Sequence, residues 1–196
     1  ILGMAGSGKT TFVQKLEEEI ANFDKESYII NLDPAVMDTL YEPNLDIRDT
    51  IKYKEIMLSN NLGPNGAILT SLNLFSTNID KVINILEPKD DINYVVIDTP
   101  GQLEVFSWSA SGKLITDSFS LIFPSILIYI VDVQRCSNPN TFSSNMLYAL
   151  SIMYKMKLPL IIVFNKIDVA KEANVIKWMN DYESLQTELN KKDDYI

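Results

Sequence analysis

Short apolar runs alternate along this chain with longer segments in which apolar residues recur every three or four positions. The runs are apolar at consecutive positions, as expected for parallel strands covered on both faces, and the longer segments have the period of helices. This alternation predicts an α/β fold with a mostly parallel sheet and helices on both faces. The predicted strands are residues 1–2, 28–31, 94–97, 126–131 and 158–164, and the predicted helices are residues 9–23, 51–60, 72–86 and 140–157.

Within the last predicted helix, apolar residues at helical spacing are expected to form one buried face. They are Phe142, Met146, Leu147, Leu150, Met153 and Tyr154. The apolar segment 105–124 predicts a further helix packed on the sheet.

Length and composition agree with one folded unit. The 196 residues are 46% hydrophobic, no Gly- or Pro-rich linker divides them, and we expect a single domain, 1–196, that is a fragment at both ends. A net charge of −9 disfavours direct nucleic-acid binding. No apolar run reaches the about 18 to 20 residues of a membrane span, so no membrane partner is expected. One cysteine, Cys136, excludes an internal disulfide and fits a reducing compartment.

The first chemical motif follows the first predicted strand and matches the G-x-x-x-x-G-K-[ST] phosphate loop. Its glycines let the backbone N–H groups turn towards phosphate oxygens, Lys9 reaches the β and γ phosphates, and the Thr10 hydroxyl ligates Mg²⁺. The fold is therefore predicted to be a P-loop NTPase. The expected nucleotide-binding residues are Gly3, Met4, Ala5, Gly6, Ser7, Gly8, Lys9, Thr10 and Thr11.

The second motif is the run 94–102, a buried strand ending in D-x-x-G. A carboxylate at the end of such a strand lies beside the phosphate loop, so Asp98 is expected to bind Mg²⁺ with Thr10. Gly101 is expected to offer its N–H to the γ-phosphate.

The third motif, N-K-x-D, follows the last predicted strand. Asp168 can accept hydrogen bonds from the N1–H and 2-amino groups of guanine, which adenine lacks as a pair, and Lys166 would lie along the base beside Asn165. These motifs in this order predict a GTPase that uses GTP, GDP and Mg²⁺. In the alternative, a P-loop ATPase or small-molecule kinase, N-K-x-D is only an Asn-capped turn; a competition assay with GTP and ATP separates the two.

With Gly63-Pro64-Asn65 inserted between the first two motifs, the whole chain resembles the GPN-loop GTPases. The segments 31–35 and 98–104 support the resemblance. It implies hydrolysis of GTP to GDP and phosphate by a dimer, in which Asn65 of one subunit reaches the γ-phosphate bound by the other. An exposed turn without a partner is the alternative for Asn65.

For hydrolysis, Asp33 resembles the family acid that orients the attacking water, and Gln102 and Glu104 are expected to support it. The chain has two arginines, Arg48 and Arg135, so an arginine finger within the chain is one of them or is absent. Arg48 is the candidate, and a surface salt bridge with a neighbouring aspartate is its alternative.

The segments 46–50, 108–112 and 144–149 resemble the eukaryotic branch of this family that is tied to assembly and nuclear import of RNA polymerase II. The resemblance implies a homodimer or a heterodimer with a paralogous GPN-loop GTPase. RNA polymerase II subunits or assembly factors are the implied partners, and a cytoplasmic protein that shuttles to the nucleus is the implied location. It also offers segment 105–124 as a nucleotide-gated groove for an apolar client peptide. The later Ser-Ala-type loop that backs guanine in GTPases is not found after Asp168.

Overall fold

The structure, a computed structural model, describes residues 1–87, 89, 91–170 and 173–193. Its strands are β1 (Leu2–Gly3), β2 (Glu26–Asn31), β3 (Leu45–Asp46), β4 (Ile92–Asp98), β5 (Leu127–Asp132) and β6 (Leu160–Asn165). Its helices are α1 (Lys9–Asn22), α2 (Ile47–Thr50), α3 (Tyr53–Ser59), α4 (Pro64–Ser76), α5 (Ile79–Leu86), α6 (Leu103–Ser107), α7 (Ala110–Ile122), α8 (Pro139–Met156), α9 (Ala173–Asn180) and α10 (Tyr182–Asp193), with a 3₁₀ turn at Arg135–Ser137. None of the helices in this part of the chain is long and apolar enough to cross a lipid bilayer.

The strands pair in parallel as two ladders, β1-β5-β6 and β3-β2-β4. A hydrogen bond from the Ile1 nitrogen to the Ile97 carbonyl oxygen, at 2.7 Å, joins the ladders between β1 and β4. The Thr99 hydroxyl donates to the Ile1 carbonyl oxygen across the same seam, at 2.8 Å. The strands therefore follow the order β3-β2-β4-β1-β5-β6, and their carboxyl ends lie along one edge, where α/β proteins bind ligands.

Helices cover both faces of this sheet. Successive residues of a strand point to opposite faces, so Ile29 of β2 packs in a cluster with Val13 of α1. Ile30, its neighbour, packs in the larger cluster with Leu72 of α4 and Phe119 of α7. The predicted α/β fold with a mostly parallel sheet is confirmed.

The Gly-Pro-Asn segment, interpreted from the sequence as a loop or turn, begins a helix. Gly63 is the N-cap of α4 and Pro64 its first residue, a position that suits proline because its missing N–H would have no partner there. The predicted helix 72–86 is two helices. They separate after α4, where the Asn78 amide donates to the Phe75 carbonyl oxygen at 2.9 Å.

Other boundaries shift by a few residues, and the two-residue strand β3 was missed because it lacks an apolar run. The buried face predicted for α8 was partly wrong. Phe142 is buried, but Leu147, Leu150 and Tyr154 are exposed. The buried face of α8 is rotated towards Ala149, Ile152 and Met156, which also lie at helical spacing from Phe142.

Segment 105–124 forms most of α6 and α7, which meet at a tight corner. Phe106, Ile115 and Phe119 are buried in the larger cluster, as predicted for a helix packed on the sheet. At the corner, the Trp108 Nε1 donates to the Tyr148 hydroxyl of α8 at 2.8 Å, so this hydrogen bond connects the end of α6 to α8.

Candidate nucleotide-binding site

A glycine-rich loop connects β1 to the first residue of α1, Lys9. Gly6 and Gly8 have φ values of 77° and 92°, a left-handed conformation that glycine adopts without strain. The Ser7 amide donates to the Met4 carbonyl oxygen at 3.1 Å and closes the turn. The loop therefore ends at the positive N-terminal end of a 14-residue helix, an arrangement that binds phosphate.

Lys9 is buried beneath this loop, and its Nζ donates to the Gly3 carbonyl oxygen at 3.0 Å. Burial lowers the pKa of Lys9, while the nearby carboxylates Asp98 and Asp33 act in the opposite direction. A buried ammonium bonded to a neutral carbonyl gains most from an anionic ligand. The side chain is thus placed for a phosphate group above the loop.

Asp98 ends β4 beside the start of α1 and is buried. Its Oδ2 accepts a hydrogen bond from the Tyr41 hydroxyl at 2.9 Å and lies 3.5 Å from the Thr10 hydroxyl. Its Oδ1 has no hydrogen-bond partner among the described residues, and burial raises the pKa of the carboxyl group.

Asp98 Oδ1 and the Thr10 hydroxyl oxygen together fit Mg²⁺. The ion prefers oxygen ligands and commonly takes one or two from protein, the rest from phosphate and water. Asp98 Oδ1 is a buried acceptor without a donor, and Thr10 adds a hydroxyl. The described residues contain no cluster of three or more acidic, histidine or cysteine side chains.

Asp33 follows β2 and bridges two backbone segments of the site. Its Oδ2 accepts from the Gly101 amide at 3.2 Å, and its Oδ1 accepts from the Ala35 amide at 2.9 Å. A Cβ added to Gly101 would lie 3.6 Å from Ala5 Cβ, so this amide is beside the phosphate loop. The Gly101 N–H, which the sequence assigned to a γ-phosphate, is therefore bonded to Asp33. A bound GTP would have to replace Asp33 as the acceptor of this hydrogen bond.

The N-K-x-D segment follows β6 and binds the other side of the loop. Asn165 Nδ2 donates to the Ser7 carbonyl oxygen at 2.9 Å. Lys166 Nζ donates to the Gly6 carbonyl oxygen at 2.6 Å and to Asp132 Oδ2 at 2.8 Å. These bonds fix Asn165 and Lys166 against the loop, whereas Asp168 lies exposed in the following turn.

Known proteins match this sequence over its whole length. A sequence family described as "Conserved hypothetical ATP binding protein" matches residues 1–196. GPN-loop GTPase 1 of Dictyostelium discoideum is 53% identical over 100% of this chain and 50% of its own length. GPN-loop GTPase 1 of Saccharomyces cerevisiae is 56% identical over 98% of this chain and 50% of its own length.

The chain belongs to the GPN-loop GTPase family. It spans about half the length of the curated relatives it matches. The crystal structure of a GTPase from Pyrococcus abyssi in its apo form has the same fold, with a TM-score of 0.84 and 30% sequence identity over 96% of this chain and 75% of that chain.

Three residues expected from the family pattern are not bonded to the phosphate loop within one chain. Asn65 lies in the first turn of α4, Gln102 is the N-cap of α6, and Glu104 lies in its first turn. All three are exposed, and in the part of the chain described here their side chains form no hydrogen bond to the loop. Met4, Ala5 and Thr11 are exposed at the loop itself.

The structure adds polar residues that the sequence interpretation missed. Asn31 and Asp132 end β2 and β5, the same strand-end signal that identified Asp98. Asn31 Oδ1 accepts from the Asp33 amide at 3.0 Å, so it positions the candidate hydrolytic acid. Tyr41 lies in an irregular segment, where no periodic pattern marked it.

Proposed function

We propose that this protein binds GTP and GDP with Mg²⁺ and hydrolyses GTP to GDP and phosphate. The observation that carries the proposal is that Asn165 and Lys166 hydrogen-bond to the same loop whose other side faces Lys9 and Asp98. A guanine-reading segment and a phosphate- and metal-binding segment thus meet at one edge of the sheet. The names of its relatives, all GPN-loop GTPases, support this activity.

In the proposed reaction, the loop amides and Lys9 hold the β and γ phosphates, and Thr10 and Asp98 hold Mg²⁺. The ion supplies charge neutralisation at the phosphates. When the γ-phosphate takes the Gly101 N–H, the Asp33 carboxylate is released from it and faces the place where water attacks. There the carboxylate accepts a hydrogen bond from the water and orients it for attack.

The choice between guanine and adenine has a direct test, which matters because the matching family is described as ATP-binding. In competition against a fluorescent GDP analogue, we expect GTP and GDP to displace the probe. ATP at the same concentration should not displace it. Asp168→Asn should lose affinity for GTP and gain affinity for xanthosine triphosphate, whose C2 oxygen accepts from an amide. Displacement by ATP equal to that by GTP would favour the ATPase or kinase alternative.

We also propose that the protein acts as a dimer, either with itself or with a paralogous GPN-loop GTPase. The exposed position of Asn65 at the start of α4 supports this, since its amide is free to reach a nucleotide bound by a partner subunit. Asn65→Ala and Lys9→Ala chains should each be inactive, and mixing them should restore some hydrolysis. One of the two sites then combines an intact loop with an intact Asn65.

The mixing experiment needs subunit exchange to be verified by a size measurement. If mixed dimers form and stay inactive, or if a monomer turns over GTP at the full rate, Asn65 is a turn residue. A size measurement with GTP and with GDP also shows whether the nucleotide changes the dimer.

The cellular role we propose is assembly and nuclear import of RNA polymerase II, carried out by a cytoplasmic protein that shuttles to the nucleus. It is supported by the resemblance of segments 46–50, 108–112 and 144–149 to that branch of the family. Tagged wild-type protein should co-purify RNA polymerase II subunits or their assembly factors, and Lys9→Ala should lose them. Equal recovery with both proteins would contradict a nucleotide-dependent role.

A further inference from the structure

The chain has two arginines, and the Arg48 side chain makes hydrogen bonds that hold the fold together. Its Nε lies 2.9 Å and 3.0 Å from the two carboxylate oxygens of Asp46. Its Nη1 donates to the Met37 carbonyl oxygen at 2.8 Å. Arg48 therefore connects α2 to the segment after β2, which is the salt-bridge alternative considered from the sequence, and each of its three guanidinium nitrogens is already bonded within the chain.

Arg135 has the opposite character. It begins the 3₁₀ turn after β5, and its Nη2 lies 3.7 Å from the point that a Cβ on Gly6 would occupy. Its side chain is 64% exposed. Within the described part of the chain the guanidinium donates no hydrogen bond, because its Nε is 3.9 Å from Asp132 Oδ2. A charged fork with unused donors thus lies at the middle of the phosphate loop.

Asp132 fixes the backbone near Arg135 and leaves the hydrogen-bond donors of its guanidinium unused. Its Oδ1 accepts from the Gln134 amide at 2.9 Å and fixes the backbone just before Arg135. Its Oδ2 is bonded to Lys166, 2.8 Å away, and Lys166 also binds the Gly6 carbonyl oxygen. The arrangement fixes the start of the Arg135 side chain and leaves its end free to move over the loop.

We propose that Arg135 is a catalytic arginine, supplied by the same chain, that contacts the triphosphate during hydrolysis. The proposal rests on the GTPase function proposed above. In that reaction the water oxygen bonds to the γ-phosphorus, and the bond from the γ-phosphorus to the β–γ bridging oxygen breaks. Its electron pair stays on GDP. GTP⁴⁻ and water yield GDP³⁻, HPO₄²⁻ and one proton, and that proton leaves to solvent.

An arginine suits this task because negative charge moves onto the bridging and β oxygens in the transition state. A planar guanidinium donates two parallel hydrogen bonds to such oxygens, whereas lysine is a point charge. The contact strengthens as charge develops, so it lowers the barrier more than it raises GTP affinity.

The test compares Arg135→Ala and Arg135→Lys with a matched control, Lys15→Ala. Lys15 is 65% exposed and pairs with Glu18, three residues away, as Arg135 pairs with Asp132. Unlike Arg135, it lies on the outer side of α1. Single-turnover GTP hydrolysis, affinities for fluorescent GTP and GDP analogues, and binding of aluminium fluoride to the GDP complex are measured on the full-length protein.

We expect Arg135→Ala to reduce the single-turnover rate by about 10²-fold. GTP and GDP affinities should stay within about threefold, and the aluminium fluoride complex, a transition-state analogue, should be lost. Arg135→Lys should give an intermediate rate, and Lys15→Ala should match the wild type. An unchanged rate, or affinity losses for GTP and GDP without a change in the single-turnover rate, would overturn the proposal. If the wild type itself fails to hydrolyse GTP, the proposed function fails instead.

Discussion

At the scale of single residues, Asp33 combines two roles that a substitution can separate. Its carboxylate holds the Gly101 and Ala35 amides and is the candidate for orienting water. Asp33→Ala should bind GTP and hydrolyse it about 10²-fold more slowly. Asp33→Asn keeps one acceptor oxygen for the Gly101 amide but loses the charge. Comparable slow rates in both variants, measured in single turnover, indicate that the attacking water needs the charged carboxylate. Normal hydrolysis by Asp33→Ala would contradict a role for Asp33 in orienting water.

Tyr41 is the second residue with a separable effect, since its hydroxyl positions Asp98. Tyr41→Phe removes that hydrogen bond while keeping the ring. Losing a group that orients a metal ligand commonly weakens metal affinity about 10- to 100-fold, so we expect a loss at the lower end of that range. It is measured as the Mg²⁺ concentration that halves the release rate of a fluorescent GDP analogue.

Tyr129→Phe is the matched control, because Tyr129 is also buried and its hydroxyl bonds to Asn145. A Mg²⁺ requirement that is the same in both variants would show that Asp98 does not depend on Tyr41.

At the scale of elements, α6 and α7 approach each other more closely than a side chain allows. A Cβ added to Gly112 would lie 2.0 Å from the Phe106 carbonyl oxygen. Gly112→Ala must therefore move α7 away from α6, and we expect it to lower the free energy of unfolding by about 1–3 kcal/mol. Chemical denaturation measures the change.

Gly66 supplies a matched comparison, because it is the third residue of α4 as Gly112 is of α7. The nearest atom to a Cβ there is 3.5 Å away, an ordinary contact. Gly66→Ala should stabilise the protein by about 0.5–1 kcal/mol, as alanine does in a helix. Equal effects from the two substitutions would contradict the close packing of α6 on α7.

Contiguous motifs were predictable at this scale because their chemistry is local. The phosphate loop, Asp98 and the Asn165-Lys166 pair each lie at a strand end, where the apolar run itself marks the position. Tyr41 was not predictable, because folding brings it to Asp98 from a segment without periodicity. Of the two arginines, the sequence favoured Arg48 over Arg135, because sequence order does not show which of them folding brings to the loop. The rotation of α8 was missed because two faces of that helix carry apolar residues at helical spacing. The period alone does not decide which of the two faces is buried.

At the scale of the whole molecule, the site lies across the seam between the two ladders. The β1-β5-β6 ladder carries the phosphate loop and Asn165, and the β3-β2-β4 ladder carries Asp33 and Asp98. In the proposed complex, a nucleotide with Mg²⁺ would touch both halves and would stabilise the folded state by its binding free energy. At 100 times its dissociation constant, GDP should add about 2.7 kcal/mol.

That stabilisation should appear as a rise of about 5–10 °C in the melting temperature. Lys9→Ala, which loses phosphate binding, should show no rise. A shift that persists in Lys9→Ala would mean that GDP binds elsewhere on the protein.

The hydrogen bond between Trp108 and Tyr148 makes the intrinsic fluorescence of Trp108 a reporter of its surroundings. The other tryptophan, Trp178, is buried, with its ring centroid 5.4 Å from that of Phe142, so its emission lies to the blue and serves as an internal reference. Trp108 is half exposed and ends the helix that follows Gly101. We expect α6 to move when a γ-phosphate takes the Gly101 amide, and this movement would change the surroundings of the Trp108 indole. The wavelength of Trp108 emission should then follow the nucleotide cycle without a label.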